Sequence, residues 1–479
     1  MTTNHALQTD DHINYLGLVE LEGVHKTFGL GQGDRRRHTY IIGKSGMGKS
    51  TLLENMILQD IYAGFGCCYI DPLGDSAVSI IDRIPSYRHK DVVYFNPSDK
   101  SGSVGINLLE IANGQSPSLI TSEIMSIMER VWSGVWSPRM EYILTNSLIA
   151  LIENTEDHTL MGCMKMFNDP TFADKIAQNC KNMVVKQFWT KEYPAFPPNY
   201  KTEAVAAIQN KIGQLFTNEM VGQILGQAKS TINFEDILNT NKIFICNLSK
   251  GQIGESNCNL MGSLIVTKIQ LAAMNRAQIP ANERKDFYLY IDEFQNFVND
   301  SFITILSEAR KFRLNLIIAH QYLGQLSDDD DKIKQAIFGN VGTIISFQVS
   351  KKDAEYLGEE FQIELFQYFQ NLGLGQVIIK PWIEQKQTSA FFAYTLRDLY
   401  QDYKGNYEKC RLLSNKLYTR KSTDIQKEIT AYYKSEPKDN AKARRNQKRL
   451  EEFLVKKGVE PTGSHNPPVD EEVNDQDEV

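Results

Sequence analysis

Eight residues near the start of the chain have the types and spacing that a phosphate group needs. Gly43, Lys44, Ser45, Gly46, Met47, Gly48, Lys49 and Ser50 follow the pattern G-x-x-x-x-G-K-[ST]. Glycines let backbone N–H groups turn inward around phosphate oxygens, and a helix starting there adds the positive end of its dipole. Lys49 would reach the β- and γ-phosphates, Ser50 would ligate Mg²⁺, and Thr51 adds a second hydroxyl at the helix start. A plain Gly-rich turn between strand and helix has the same composition, so the flanks decide. An apolar run at 38–42 precedes the loop and a helical run at 51–58 follows it. That is the strand–loop–helix order expected of a nucleoside triphosphate site.

Hydrolysis needs a second acid at the metal and a group that positions water. The run Tyr288, Leu289, Tyr290, Ile291, Asp292, Glu293 ends an apolar strand in two acids. Neighbouring residues on a strand point in different directions, so Asp292 would hold the metal and Glu293 would polarise the attacking water. An ordinary acidic turn after a core strand competes with this reading, and the phosphate loop shifts the weight to chemistry. A further apolar run at 316–319 leads to His320 and Gln321. Gln321 would bond the γ-phosphate or the water, or else cap a strand end. Arg310 lies with Lys311 and Arg313 on the helical segment 302–312. A guanidinium suits the charge on a transferring phosphoryl group, in its own site or a neighbour's. A solvated basic helix end fits that chemistry equally well.

Such groups need a scaffold of strands to bring them together. Apolar runs of strand length occur at 39–42, 67–70 and 92–95, then at 243–247, 287–291, 316–319, 343–347 and 376–379. They do not alternate cleanly, as befits strands covered on both faces. With helical patterns between them, they predict an α/β fold with a largely parallel sheet. The periodicity turns helical from about 115 to 235, which predicts an all-helical insertion into one core. The division expected is therefore 1–114, first part of the core; 115–235, insertion; 236–400, second part of the core. A charged helical extension at 401–460 and a disordered acidic tail at 461–479 complete it.

Composition narrows the classes. The chain has 479 residues, 42% hydrophobic and 23% charged, with net charge −7. These are globular values, which exclude collagen, coiled coil and overall disorder. Six acids and no Lys or Arg follow Pro461, so the remainder is near neutral and cannot coat DNA by net charge alone. Seven cysteines without regular spacing argue against a disulfide framework or zinc site, and Cys67, Cys68 and Cys246 read as buried thiols. No secretion signal and no run of the ~20 apolar residues a membrane helix needs is visible, so a cytoplasmic protein is expected. Weaker signals read as structural or balanced. Arg35, Arg36 and Arg37 suggest a solvated charge run, 328–331 an acidic helix start, and Trp132 and Trp136 flanking Gly134 core anchors. The basic stretch 442–449 suits DNA and solvent equally.

Taken together, the segments IIGKSGMGKST (41–51), YIDPLGD (69–75), WSPRMEYILTNSLIALIE (136–153), KIFICNLSKGQIGE (242–255), FYLYIDEFQNF (287–297) and SEARKFRLNLIIAHQY (307–322) resemble the HerA–FtsK superfamily of hexameric ATPases. Within it the chain is most similar to TraG-like conjugative coupling proteins of type IV secretion and their soluble HerA-like relatives, over residues 15–396. The resemblance implies a RecA-like P-loop NTPase core assembled as a hexamer, with ATP and Mg²⁺ between subunits and DNA in the central pore. It implies that Lys49 and Ser50 are the phosphate-loop pair, Asp292 and Glu293 the metal and catalytic acids, and Gln321 the sensor amide. Arg310 matches the arginine finger acting in trans, and Asp71-Pro72 a motif near the nucleotide, with a turn-forming Asp-Pro as the plain alternative. The implied function is an ATP-driven DNA translocase in conjugative transfer, working with a relaxase or a secretion-channel component. Alternatives are a helicase-translocase in DNA-end processing and an ATP-gated assembly module. Only about forty polar residues precede the phosphate loop, whereas membrane-bound coupling proteins carry transmembrane helices there. A soluble member, or one recruited to the inner face of the membrane by a separate protein, is expected.

Overall fold

β-Branched and aromatic residues concentrate in short runs, and those runs pair into one sheet. The computed structural model describes residues 12–111, 115–132, 137–154, 157–297, 300–326 and 331–434. Gly134, Trp136, residues 328–330 of the acidic run, the basic stretch 442–449 and the acidic tail lie outside the described residues. The strands are β1 (Ile13–Leu21), β2 (Val24–Gly31), β3 (Thr39–Ile42), β4 (Gly66–Asp71), β5 (Val92–Phe95), β6 (Ile243–Asn247), β7 (Phe287–Ile291), β8 (Leu314–His320), β9 (Thr343–Ser346), β10 (Gln376–Lys380), β11 (Trp382–Ile383), β12 (Lys386–Gln387) and β13 (Phe391–Thr395). Eleven of them form a sheet in the order β2-β1-β13-β10-β9-β3-β8-β7-β4-β6-β5, and β11 pairs with β12.

From β9 to β5 every neighbouring pair is parallel, while β10, β13, β1 and β2 join antiparallel. The expected α/β class with a largely parallel sheet is what the chain adopts. Residues of each parallel strand feed two cores in turn. Tyr40, Ile42, Cys68 and Ile70 join the core that holds the helices of 117–225, and Ile41, Cys67 and Tyr69 join the core under the helix Lys49–Tyr62. Burial on both faces explains why these strands carry no polar alternation. All seven cysteines are buried and free.

Two expectations are corrected here. The run at 39–42 is not the first strand, because the hairpin β1–β2 precedes it. Its polar residues gave no strand signal: β2 is the outer strand and its first six residues are not buried. Nor is 35–37 a solvated charge run. Arg35 is 1% exposed and forks onto Asp60, with Nη1 and Nη2 donating at 2.6 and 2.8 Å. Its Nη2 also donates to the Tyr290 hydroxyl, and its guanidinium lies 3.9 Å above the Tyr288 ring. Arg36 donates to Asp286 at 2.7 Å. The acids that neutralise the run sit 25 and 250 residues away, beyond the reach of local sequence.

Contacts gather residues up to Ile429 into one unit, and a second begins at Thr430. Among the described residues no helix is long and apolar enough to cross a membrane.

Candidate nucleotide site

Parallel strands leave their carboxyl ends along one edge, and ligands of such sheets bind there. The loop after β3 starts that edge. Gly43 is buried, and a Cβ there would lie 2.4 Å from Cβ of Phe347. Gly46 and Gly48 take φ of +77° and +109°, a conformation open to glycine at no steric cost. The loop is tied to its surroundings at Lys44 N–H, which donates to Gln348 O at 2.8 Å, and at Met47 O, which accepts from Gly375 N–H at 3.1 Å. Lys44 and Ser45 are exposed at the rim. The helix then begins at Lys49, whose Nζ donates to the carbonyls of Gly43 and Lys44 at 2.6 and 3.0 Å. Thr51 follows on the first turn of the same helix.

β7 brings its acids to the same edge. Ser50 Oγ lies 3.4 Å from Asp292 Oδ2, so two residues 242 apart in sequence face each other. Asp292 Oδ1 accepts the Glu293 N–H at 2.9 Å. β8 lies between β3 and β7, and its end carries Gln321, whose Nε2 donates to Glu293 Oε1 at 2.8 Å. Lys49, Ser50, Asp292, Glu293 and Gln321 thus converge.

Burial, then the charges of Glu293 and Asp71, push the Asp292 carboxyl up to about 7. Burial lowers the Lys49 ammonium, although Asp292 and Glu293 oppose that shift. Both groups are short of the counter-charge that would settle them in ionised form. Mg²⁺ with phosphates supplies such charge. A hydroxyl and a carboxylate are hard oxygen donors, and two of them suit an ion that takes its remaining ligands from phosphates and water. The residues present therefore fit Mg²⁺.

Asp71 stands near Asp292 and also forms a turn: its carboxylate accepts the N–H groups of Leu73 and Ala77 at 2.9 and 2.8 Å. Arg310 falls elsewhere. Arg310 is exposed on the turn Ala309–Phe312, just before β8 starts. β8 has seven residues, so Arg310 lies at the opposite edge of the sheet, roughly 20 Å from its own phosphate loop at ~3.3 Å per residue. There burial, then Arg37 and Arg36, lower its pKa. Sequence reasoning missed Gln295 and Asn296, which follow the acids and grip Glu293. It also missed His320, which burial, then Lys49, push to about 3, a neutral ring bonded to the Tyr40 hydroxyl.

Comparisons agree with this architecture. The family model for the type IV secretion-system coupling protein DNA-binding domain matches residues 25–363. No curated protein sequence matches the chain. Among solved structures, the unbound bacterial conjugative coupling protein TrwBdeltaN70 superposes with a TM-score of 0.56 at 16% identity, over 81% of this chain and 92% of its own. The TrwB complex with the non-hydrolysable ATP analogue ADPNP gives 0.56 at 15% identity, over 81% and 91%. VirB4 of Thermoanaerobacter pseudethanolicus gives 0.55 at 14% identity, over 82% and 98%. At such identities these likenesses establish the fold, a RecA-like P-loop core.

Proposed function

The chain belongs to the type IV secretion-system coupling protein family, and from that premise we propose that it is an ATPase that moves DNA in conjugative transfer. One observation carries the reading: the Ser50–Asp292 pair closes beside a Glu293 carboxylate already held by Gln321. In this reading the loop 43–51 binds ATP through its backbone N–H groups, with Lys49 between the β- and γ-phosphates. Ser50 and Asp292 would hold Mg²⁺, which when bound neutralises charge on the phosphates. Glu293 orients and deprotonates the attacking water, and Gln321 reports the γ-phosphate. The TrwB structures with ADPNP and with ADP and Mg²⁺ support ATP and Mg²⁺ as the ligands.

Arg310 would serve the adjacent copy in a hexamer. Its exposure, its place at the far edge and its crowding by like charges support action in trans. Within this reading, 1–114 and 236–400 are the two parts of the ATPase core, 115–235 the insertion, 401–460 the extension and 461–479 the tail. A relaxase or a channel component at the inner face of the membrane would deliver the DNA.

Steady-state ATP hydrolysis with and without DNA tests the proposal. Lys49→Ala or Glu293→Gln should abolish DNA-stimulated turnover while circular dichroism stays that of the parent. Turnover at the parent's rate in either variant would falsify the assignment. Mixing Arg310→Ala with Glu293→Gln protein should recover part of the activity if sites are shared between copies. Failure of the mixture to exceed its components would remove the trans arginine.

A further inference from the structure

Both carboxylate oxygens of Glu293 are taken by carboxamides. Gln321 Nε2 donates to Oε1 at 2.8 Å, and Gln295 Nε2 donates to Oε2 at 2.7 Å. Gln295 sits on the single turn Phe294–Asn296 directly after the acid. Its own Oε1 is shielded from solvent and has no hydrogen-bond partner among the described residues. An enclosed amide oxygen without a partner is costly, so rotating away from Glu293 would relieve Gln295.

The main chain of Glu293 is constrained as well. Its φ and ψ are +48° and +47°, a left-handed conformation that non-glycine residues adopt only when their surroundings enforce it. Its carbonyl accepts from Asn296 N–H at 3.1 Å and from Asn296 Nδ2 at 2.8 Å. Asn296 Oδ1 in turn accepts from Lys250 Nζ at 2.9 Å. Lys250 belongs to the turn Lys250–Ile253 after β6, where Gly251, Gln252 and Gly254 are exposed. Its other partner is the exposed Glu255 at 3.4 Å. A half-buried ammonium beside an exposed turn is therefore two hydrogen bonds from the backbone of the water-positioning acid.

We propose that Gln295 and Asn296 are positioning residues that hold Glu293 in a waiting pose, and that nucleic-acid phosphates at the turn 250–254 release it by drawing Lys250 away from Asn296. The proposal rests on Glu293 being the water-positioning acid, as read above. Phosphate competes for the ammonium, Asn296 loses its outer partner, and the strained turn relaxes. Gln295 then leaves Oε2, and a lone pair of Glu293 opens to water.

The test is steady-state ATP hydrolysis by the full chain, with and without DNA of mixed sequence. Gln295→Met keeps the side-chain volume and removes the donor. Its DNA-free kcat should rise about tenfold, an effect of about 1.4 kcal/mol on the barrier, with KM for Mg·ATP unchanged. DNA stimulation should shrink to match. Lys250→Ala should lower the ratio of DNA-stimulated to DNA-free rate, and Lys250→Arg should restore it. A lower DNA-free kcat in Gln295→Met, or a parental stimulation ratio in both Gln295→Met and Lys250→Ala, overturns the proposal. If Gln295→Met does not fold, the Lys250 pair decides alone. Turnover surviving in Glu293→Gln is a separate result: it removes the assignment of the acid itself.

Discussion

The two edges of the parallel sheet treat their charged groups in opposite ways. At the edge where the strands begin, Asp286 accepts from Gln32 at 2.7 Å, Arg36 at 2.7 Å and Asn315 at 3.0 Å. Asp60, at the base of the phosphate-loop helix, accepts from Asn14, both arms of Arg35 and the Tyr290 hydroxyl. These acids have every partner they need inside the chain. At the edge where the strands end, Asp292 accepts the Glu293 N–H at 2.9 Å and a long contact from Ser50 at 3.4 Å, has two acids for neighbours, and its carboxyl is pushed to about 7. Charge at the first edge is completed inside the chain, whereas at the second edge Glu293 and Asp71 stand beside Asp292 and raise its pKa.

The sharpest way to break that contrast is to unmake the completed side. Arg35→Ala strands a buried Asp60 and should cost about 3–5 kcal/mol, read as a drop in the urea midpoint. A change close to zero would mean that the network is ornamental. The opposite edge should respond with the opposite sign. Asp292→Asn keeps the oxygen that accepts Glu293 N–H and removes an uncompensated charge, so the nucleotide-free protein should gain about 1 kcal/mol while turnover is lost. A loss of stability as large as that of Arg35→Ala would erase the distinction.

Asp99, four residues past the end of β5, offers a smaller test. Burial works to raise its carboxyl, but hydrogen bonds from Ser101, Asn415 and Arg411 prevail and bring it to about 2. A depressed folded pKa stabilises above the unfolded value near 4, and that contribution is lost as pH falls from about 4 to 2. Discounted for solvent screening it is about 1 kcal/mol, and Asp99→Asn should remove this part of the acid dependence in urea titrations at pH 2–5. Smallest of all, Arg310→Ala should shift the urea midpoint by less than about 0.5 kcal/mol, because an exposed cation at a finished edge supports nothing locally.

What the sequence made legible follows the same physics. Strands covered on both faces, such as Val92–Phe95 and Phe287–Ile291, stand out as unbroken apolar runs whose limits can be read directly. The hairpin β1–β2 and strand β13 expose one side or an edge, and their mixed residues look like loop. Among the converging residues, the phosphate loop is contiguous and therefore visible, and the acid pair is visible as the end of a strand. Gln295 and Asn296 carry no such mark, since a carboxamide after two acids is ordinary until the chain turns it back. Arg35 was hidden for a related reason: its partner is distant in sequence, so its charge looked free.

The phosphate-loop helix is buried along most of its length, and its far end is bolted through Asn14, Arg35 and Asp60. Fourteen residues at ~1.5 Å each make a strut of about 20 Å. A strut anchored in this way shifts as a whole, so a displacement of a few tenths of an ångström at the loop would be carried along its axis to the Arg35–Asp60 network at the opposite rim.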